Sequence, residues 1–219
     1  MGLSSTASSS LGAWGPALIL CSLVSLFAGA ITVQAEEADG VELFSSQCAS
    51  CHGADAKGTS LAPGLAGQQS DYLARQLKHF KTGLRGDHKK DLLGTQMVAV
   101  SQALNESSMT ALATYLSTLP QAGASAPEAA ASNQRRGYTY YHSTCGGCHG
   151  GKAEGNSLLN APRLAGLSVE YLERQIQHFA TGVRGTDRQD RFGRQMAMMS
   201  KSLNEETLAD VIAFIAAQP

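Results

Sequence analysis

One cysteine and histidine cluster occurs twice in this 219-residue chain, and it limits the possible folds more than any other feature. CASCHGADAKG begins at Cys48, and CGGCHGGKAEG begins at Cys145. Two cysteines at the C-x-x-C spacing can bind zinc, form a redox disulfide or attach a haem. The histidine that directly follows both pairs favours haem.

The similarity between the two copies extends well beyond these clusters. YLARQLKHFKTGLRG begins at Tyr72 and recurs as YLERQIQHFATGVRG from Tyr171. An internal duplication of this kind predicts two tandem domains. Between the copies, residues 121–132 read QAGASAPEAAAS, a composition typical of a linker. We therefore expect an N-terminal domain over 36–120 and a C-terminal domain over 133–219.

Residues 1–35 differ in composition from the rest of the chain. They contain no Asp, Glu, Lys or Arg, and their apolar run ends in Val33-Gln34-Ala35, a small-residue site of the A-x-A type. This pattern predicts a cleaved signal peptide and therefore an exported protein. The alternative is an uncleaved N-terminal membrane anchor, since the apolar run approaches the about 20 residues that span a bilayer.

Charge and size limit the functional classes. The formal net charge of −1 argues against nucleic acid as a partner, because nucleic-acid binding needs a basic surface. Proteins are then the default partners. Each repeated unit is small, and aromatic residues make up only 6% of the chain, so a buried prosthetic group would help to stabilise each unit.

Apolar residues recur at helical spacing in both copies, whereas no segment alternates as a strand would. Gly83 and Gly182 are expected to end the middle helix of each copy, and Asn105 and Asn204 are expected to cap the last helix. The apolar faces comprise Leu73, Leu77, Phe80, Met109, Leu112, Leu116 and Leu119 in the first copy, and Leu172, Ile176, Phe179, Leu208, Val211, Ile212 and Ile215 in the second.

The C-x-x-C-H sequence is the signature of c-type haem attachment. Each cysteine sulfur adds to one haem vinyl group, and the histidine then faces the iron. Zinc would require both pairs to converge on one ion and would leave the two histidines unexplained. A thioredoxin-like pair would need a βαβ context. We therefore expect two covalently bound haem c groups, one on Cys48 and Cys51 and the other on Cys145 and Cys148.

From Asp39 to its end, the chain resembles the dihaem class I c-type cytochromes of the cytochrome c4 type. The resemblance rests on the two clusters, on PGLAG and PRLAG, on the YLxRQ…HFxTGxRG segments and on the methionines before the last helices. It implies an all-α fold of two tandem class I cytochrome c domains, each built around a covalent haem. It also implies electron transfer in the bacterial periplasm, from a quinol-oxidising complex towards a terminal oxidase. Separately from the resemblance, we expect loose membrane association.

The resemblance and the duplication together suggest the axial iron ligands. His52 and His149 are the expected proximal ligands. Met97 and Met196 occupy the family's distal position in the two copies, and Met198 is an alternative to Met196. His/Met ligation favours ferrous iron and raises the reduction potential.

Other recurring residues are expected to support the sites. Pro63 and Pro162 resemble the class I proline whose carbonyl accepts a hydrogen bond from the proximal histidine, although each could be an ordinary loop proline. Arg85 and Arg184 are candidates to pair with haem propionates; the alternative is a pair of exposed arginines at helix ends.

The remaining histidines and methionines are expected to have structural roles. His79 and His178 recur and could give bis-histidine ligation, but each lies in the middle of a helix, well before the distal position. Met109, Met198 and Met199 do not recur and are expected to fill the core. Gly40 with Tyr115 and Gly137 with Phe214 match the family's close contact between the first and last helices.

Two six-coordinate irons are closed to substrate, so the ligand set predicts an electron carrier and not an enzyme. The first alternative is an electron-transfer subunit of a larger dehydrogenase or oxidase, which would use the same haem chemistry with a permanent partner. A dihaem peroxidase is less well supported, since it needs an open iron and both copies retain a candidate distal methionine.

Overall fold

The structure is a computed structural model that describes residues 39–121 and 133–219. The predicted signal peptide and all of the predicted linker except Gln121 lie outside these residues. Each half contains five α-helices in the same order, and no strand is present in the described parts beyond isolated bridges. The helices are α1 (Gly40–Leu43), α2 (Ala49–His52), α3 (Ser70–Lys81), α4 (Leu92–Ser101) and α5 (Glu106–Thr118), then α6 (Gln134–Tyr140), α7 (Gly146–His149), α8 (Val169–Ala180), α9 (Arg191–Ser200) and α10 (Glu205–Ala216).

Short irregular helices complete the two halves. A π-helical segment joins α1 to α2 over Phe44–Cys48, and a second one joins α6 to α7 over Tyr141–Cys145. A 3₁₀ helix over Ser157–Leu159 follows α7 only. None of the helices in the described ranges is long and apolar enough to cross a membrane.

The predicted apolar faces form one core in each half. α3 packs on α5, and α8 packs on α10. The Asn105 side chain caps α5 by accepting from Ser108 N at 2.8 Å, and Asn204 caps α10 by accepting from Thr207 N at 2.8 Å. The helical prediction is therefore confirmed, together with both caps.

The first helix of each half crosses the last at a glycine. A Cβ on Gly40 would collide with the Ala111 carbonyl and lie 2.9 Å from Tyr115 Cβ. A Cβ on Gly137 would collide with the Asp210 carbonyl of α10, the helix that also carries Phe214, so the predicted close contact between the first and last helices is confirmed in both halves. Only glycine allows the two backbones to approach so closely.

Two helices were not predicted from the sequence. α4 and α9 carry the candidate distal methionines. Asp91 and Asp190 cap them, because each Oδ1 accepts a backbone N–H three residues later, at 2.9 Å and 2.8 Å. α4 is apolar almost all round, so the sequence contains little of the periodicity that identifies an amphipathic helix.

The two halves belong to one compact unit, and buried polar groups join them. Gln68 Nε2 donates to Arg163 O at 2.9 Å, and Arg163 N donates to Gln68 Oε1 at 3.0 Å. Arg75 donates to Asn160 Oδ1 at 3.0 Å and to Asn160 O at 2.9 Å. A side chain that satisfies a backbone N–H and C=O together fixes the register between the halves.

We predict that Gly137→Ala destabilises the protein by about 1–3 kcal/mol, because the added methyl group would force α6 away from α10. At about 2–4 °C per kcal/mol, the melting temperature should fall measurably by calorimetry. Gly147→Ala is the control, since a Cβ there meets nothing within 4 Å. Equal melting temperatures for the two variants would contradict the packing described.

Candidate haem sites and the interface between the halves

The π-helical segments place each cysteine pair at the start of a short helix. Cys48 ends the first segment and Cys51 lies on α2, while Cys145 and Cys148 have the same positions in the second half. None of the four thiols is in a disulfide, so each sulfur can bond to a vinyl group. Burial, with a smaller effect of the neighbouring Cys148, raises the pKa of Cys145 to about 11.

The histidine after each pair is buried and held by one hydrogen bond. His52 Nδ1 lies 2.8 Å from Pro63 O, and His149 Nδ1 lies 2.9 Å from Pro162 O. Since a carbonyl only accepts, Nδ1 carries the hydrogen and Nε2 keeps a lone pair for a metal. Burial lowers the pKa of both imidazoles, although the carbonyl bonds act in the opposite direction.

A tight loop returns each proline to its histidine. In the first half, Gly58 N donates to His52 O at 2.8 Å, and Gly58 forms an isolated bridge with Pro63. Gly58 has a φ of +91°, and a Cβ there would lie 2.5 Å from Gly64 N. Gly155 has the same role in the second half, with a φ of +81°. Glycine is therefore required at both positions.

Met97 and Met196 are half-buried on α4 and α9. Two residues along an α-helix turn through about 200°, so Met198 lies on the opposite side of α9 from Met196. Met198 is 68% exposed, which favours Met196 as the residue that faces a haem. Core filling is confirmed for Met109, at 2% exposure, and is wrong for Met198 and Met199, which are exposed.

Arg85 and Arg184 are buried between the halves, so the exposed-arginine alternative is wrong. Arg85 donates to Gln76 Oε1 at 2.8 Å, and its other terminal nitrogen donates to Tyr171 Oη at 3.0 Å and to Gln175 Oε1 at 3.1 Å. Arg184 donates to Gln175 Oε1 at 2.6 Å and to Gln76 Oε1 at 2.7 Å. Each glutamine oxygen therefore accepts from an arginine of its own half and from one of the other half.

One donor of each arginine has no partner. Nε of Arg85 and Nε of Arg184 are buried, and neither makes a hydrogen bond within the described residues. A buried guanidinium donor without a partner is costly and is well suited to a carboxylate. This feature fits a haem propionate beside each arginine.

His79 and His178 face acidic residues across the same interface. His79 Nδ1 lies 3.8 Å from Asp190 Oδ2, and His178 Nδ1 lies 3.9 Å from Asp91 Oδ2. Burial is the largest cause that lowers the pKa of both imidazoles. The facing aspartate raises the pKa of each histidine, and nearby arginines lower it. The arginines are Arg75, Arg85 and Arg184 for His79, and Arg85, Arg174 and Arg184 for His178.

The interface residues were missed in the sequence, although a signal for them was present. Gln76 and Gln175 recur, as do Asp91 and Asp190. A buried polar residue that recurs in both copies needs a partner, and here the partner belongs to the other copy.

The comparisons with known proteins agree with this geometry. The family model described as Cytochrome c matches residues 37–120 and again 134–218. A protein named thiosulfate dehydrogenase electron acceptor, from Thiomonas intermedia (strain K12), is 35% identical over 184 residues, covering 80% of this chain and 79% of that protein. Cytochrome c4 of Azotobacter vinelandii is 30% identical over 185 residues, covering 77% and 82%.

A solved structure has the same architecture. Reduced recombinant cytochrome c4 from Pseudomonas stutzeri superposes with a TM-score of 0.69 at 24% identity, over 82% of this chain and 97% of that one. This likeness concerns the fold alone.

The chain belongs to the cytochrome c family, as two tandem domains of the dihaem cytochrome c4 type. The two C-x-x-C-H clusters carry two covalently attached haem c groups, and the class is that of electron carriers. The residues present fit these groups, since each half offers two unpaired thiols, a neutral imidazole with a free Nε2 and a buried guanidinium with an unpartnered Nε.

The interface should make stability depend on pH. The pKa of His79 and of His178 is lowered from 6.5 in the folded state. At a pH just below 6.5, the folded protein therefore binds fewer protons than the unfolded chain. The stability from the neutral imidazoles is therefore present above pH 6.5 and is lost as the pH falls towards the lowered pKa values.

We predict that the melting temperature of the haem-loaded protein falls more steeply from pH 7.5 to pH 5 than that of a His79→Gln/His178→Gln variant. His142→Gln, which alters an exposed histidine, should keep the steep dependence. Identical pH profiles for the wild type and the double variant would refute this account of the interface.

Proposed function

We propose that this protein is a periplasmic carrier that passes electrons between respiratory proteins, from a quinol-oxidising complex towards a terminal oxidase. The supporting observation is the equivalence of the two halves. Each half has a cysteine pair and a histidine that hydrogen-bonds to a proline carbonyl. Each also has a half-buried methionine, on α4 in the first half and on α9 in the second. Neither half has lost the group that would close its iron.

The proposed ligand sets follow from these positions. Haem 1 is attached to Cys48 and Cys51 with His52 and Met97 as axial ligands. Haem 2 is attached to Cys145 and Cys148 with His149 and Met196. Arg85 and Arg184 would each offer Nε to a haem propionate, which would satisfy the donors left without partners at the interface.

When bound, each haem iron supplies a one-electron redox change, and the residues around it decide how that change is used. The Nδ1–H bond to proline holds the imidazole plane and makes Nε2 a stronger donor. The methionine thioether favours the ferrous state and raises the potential. With the imidazole and the thioether both bound, no position on the iron would be open to a substrate, and the site would be suited to electron exchange alone.

A second candidate is an electron-transfer subunit or direct acceptor of a dehydrogenase. It is favoured by the relative whose printed name is thiosulfate dehydrogenase electron acceptor, at 35% identity. The haem chemistry would be the same, and the difference lies in the partner. Size-exclusion chromatography of the protein isolated from its native cells separates the two, because a permanent subunit elutes with the dehydrogenase and a carrier elutes alone.

The electron-carrier proposal predicts that the reduced, haem-loaded protein does not bind carbon monoxide at neutral pH, because both irons are six-coordinate. Absorption difference spectra before and after addition of carbon monoxide measure this directly. Stoichiometric binding to one haem would identify an open iron and would favour a catalytic function such as that of a dihaem peroxidase.

Substitution of either proposed distal ligand should open one iron only. We expect Met97→Ala and Met196→Ala each to bind one equivalent of carbon monoxide and to lower one of the two midpoint potentials in a spectroelectrochemical titration. Met198→Ala is the matched control and should leave both haems closed. If Met198→Ala opens a haem and Met196→Ala does not, the assignment in the second half is wrong.

A further inference from the structure

The helices that carry the candidate distal methionines differ sharply in charge. Residues 92–105, which comprise α4 and the turn up to the cap of α5, contain no charged residue. The equivalent residues 191–204 contain Arg191, Arg194 and Lys201 and no acidic residue. Because the two halves are copies of one unit, residues 92–105 and 191–204 can be compared position by position. The shared fold does not require the positive charges, since the first half lacks them.

The three cations lie on one side of α9. At about 100° per residue, Arg191, Arg194, Met198 and Lys201 cluster on the side opposite Met196. All four side chains are exposed, and Met198 is 68% exposed. We call these four residues the α9 face. The same positions in the first half hold Leu92, Thr95, Ala99 and Gln102, which are exposed and neutral.

The charges of the α9 face are not neutralised by carboxylates of the described residues, although the Arg191 guanidinium lies 5.7 Å from the centre of the Phe192 ring. None of its three cations forms a salt bridge with a carboxylate of the described residues, whereas Arg136 on α6 pairs with both Glu206 and Asp210. The two halves also differ in net charge. Residues 36–120 contain seven Lys and Arg and nine Asp and Glu, whereas residues 133–219 contain ten Lys and Arg and eight Asp and Glu.

We propose that the α9 face is the docking surface for an acidic redox protein, which presents carboxylates around an apolar contact to the second half of this chain. The inference rests on the proposed electron-carrier function and assigns one partner to one of the two halves. An acidic patch is electrostatically complementary to the three cations and accelerates encounter. Met198 supplies an adaptable apolar centre that a charged rim can surround.

The position of the face suits electron exchange with haem 2. α9 carries the proposed distal ligand on one side and the α9 face on the other, so a docked partner is separated from that ligand by one helix, about 10 Å across. The neutral face of α4 offers no such attraction.

The test uses the reduced, haem-loaded protein labelled with ¹⁵N, with poly-L-glutamate as the acidic probe. Amide shift changes should centre on 191–202 and disappear at high salt, because exposed charges are screened beyond about 10 Å at 0.1 M ionic strength. Arg194→Glu/Lys201→Glu should abolish them. Lys89→Glu/Lys90→Glu, with the same change in net charge at exposed positions of the first half, should not.

Oxidation by hexacyanoferrate(III), a small anion, extends the test to electron transfer. The bimolecular rate constant of the second haem should fall about tenfold in Arg194→Glu/Lys201→Glu at low salt, and the first-half variant should change it much less. Equal losses in the two variants, or a footprint centred outside α9, would overturn the proposal. Binding of the α9 face to anionic lipid vesicles but not to polyglutamate, or self-association that the α9 variant abolishes, would also overturn it.

Failure of this proposal is distinguishable from failure of the electron-carrier proposal. The shift changes are measured on a protein that is already reduced and require no electron transfer. A footprint on α9 in a protein that binds carbon monoxide would support the docking surface and refute the closed irons. Closed irons without a footprint would leave the carrier proposal intact and refute the docking surface.

Discussion

The hydrogen bond from each Nδ1–H to a proline carbonyl determines how the rest of each half is arranged. It sets the tautomer of His52 and His149 and leaves Nε2 as the only nitrogen that can bind a metal. In both halves, the loop between the cysteine pair and the proline brings the proline carbonyl back to the histidine ring. Its left-handed glycine is required because any Cβ there would collide with the returning chain.

A second constraint joins two such halves into one molecule. The glutamine and arginine pairs form a nearly symmetric set of hydrogen bonds in which neither half can satisfy its polar groups alone. Duplication of a single domain explains this arrangement, because each new interface residue arises together with its partner. The symmetry is then broken on the outer surface, where α9 is cationic and α4 is neutral.

The sequence was sufficient for the fold class and for the groups that attach the haems. C-x-x-C-H is recognisable because haem attachment needs two cysteines and a histidine at fixed positions. Asn105 and Asn204 form helix caps through contacts with residues three positions later, which hardly depend on the rest of the structure. The interface was not predictable in the same way. Arg85 and Gln76 hydrogen-bond to residues of the other copy, 90 and 108 positions away, and their recurrence suggests buried partners without identifying them.

The methionines show the same limit. Met109 follows the apolar periodicity of its helix and was placed correctly in the core, whereas Met198 lies on α9, a helix that was not predicted although its sequence is amphipathic. Once α9 is known, simple helical geometry places Met196 and Met198 on opposite sides. The secondary structure had to be established before the side of the helix could be assigned.

The central claim is that both irons are closed by a methionine, and methyl NMR of the reduced protein with ¹³C-labelled methionines tests it most directly. A thioether methyl group bound above a haem is shifted far upfield by the ring current. Among Met97, Met109, Met196, Met198 and Met199, we predict two strongly shifted methyl signals, from Met97 and Met196. A single shifted signal, or a signal from Met198 in place of Met196, would contradict the account.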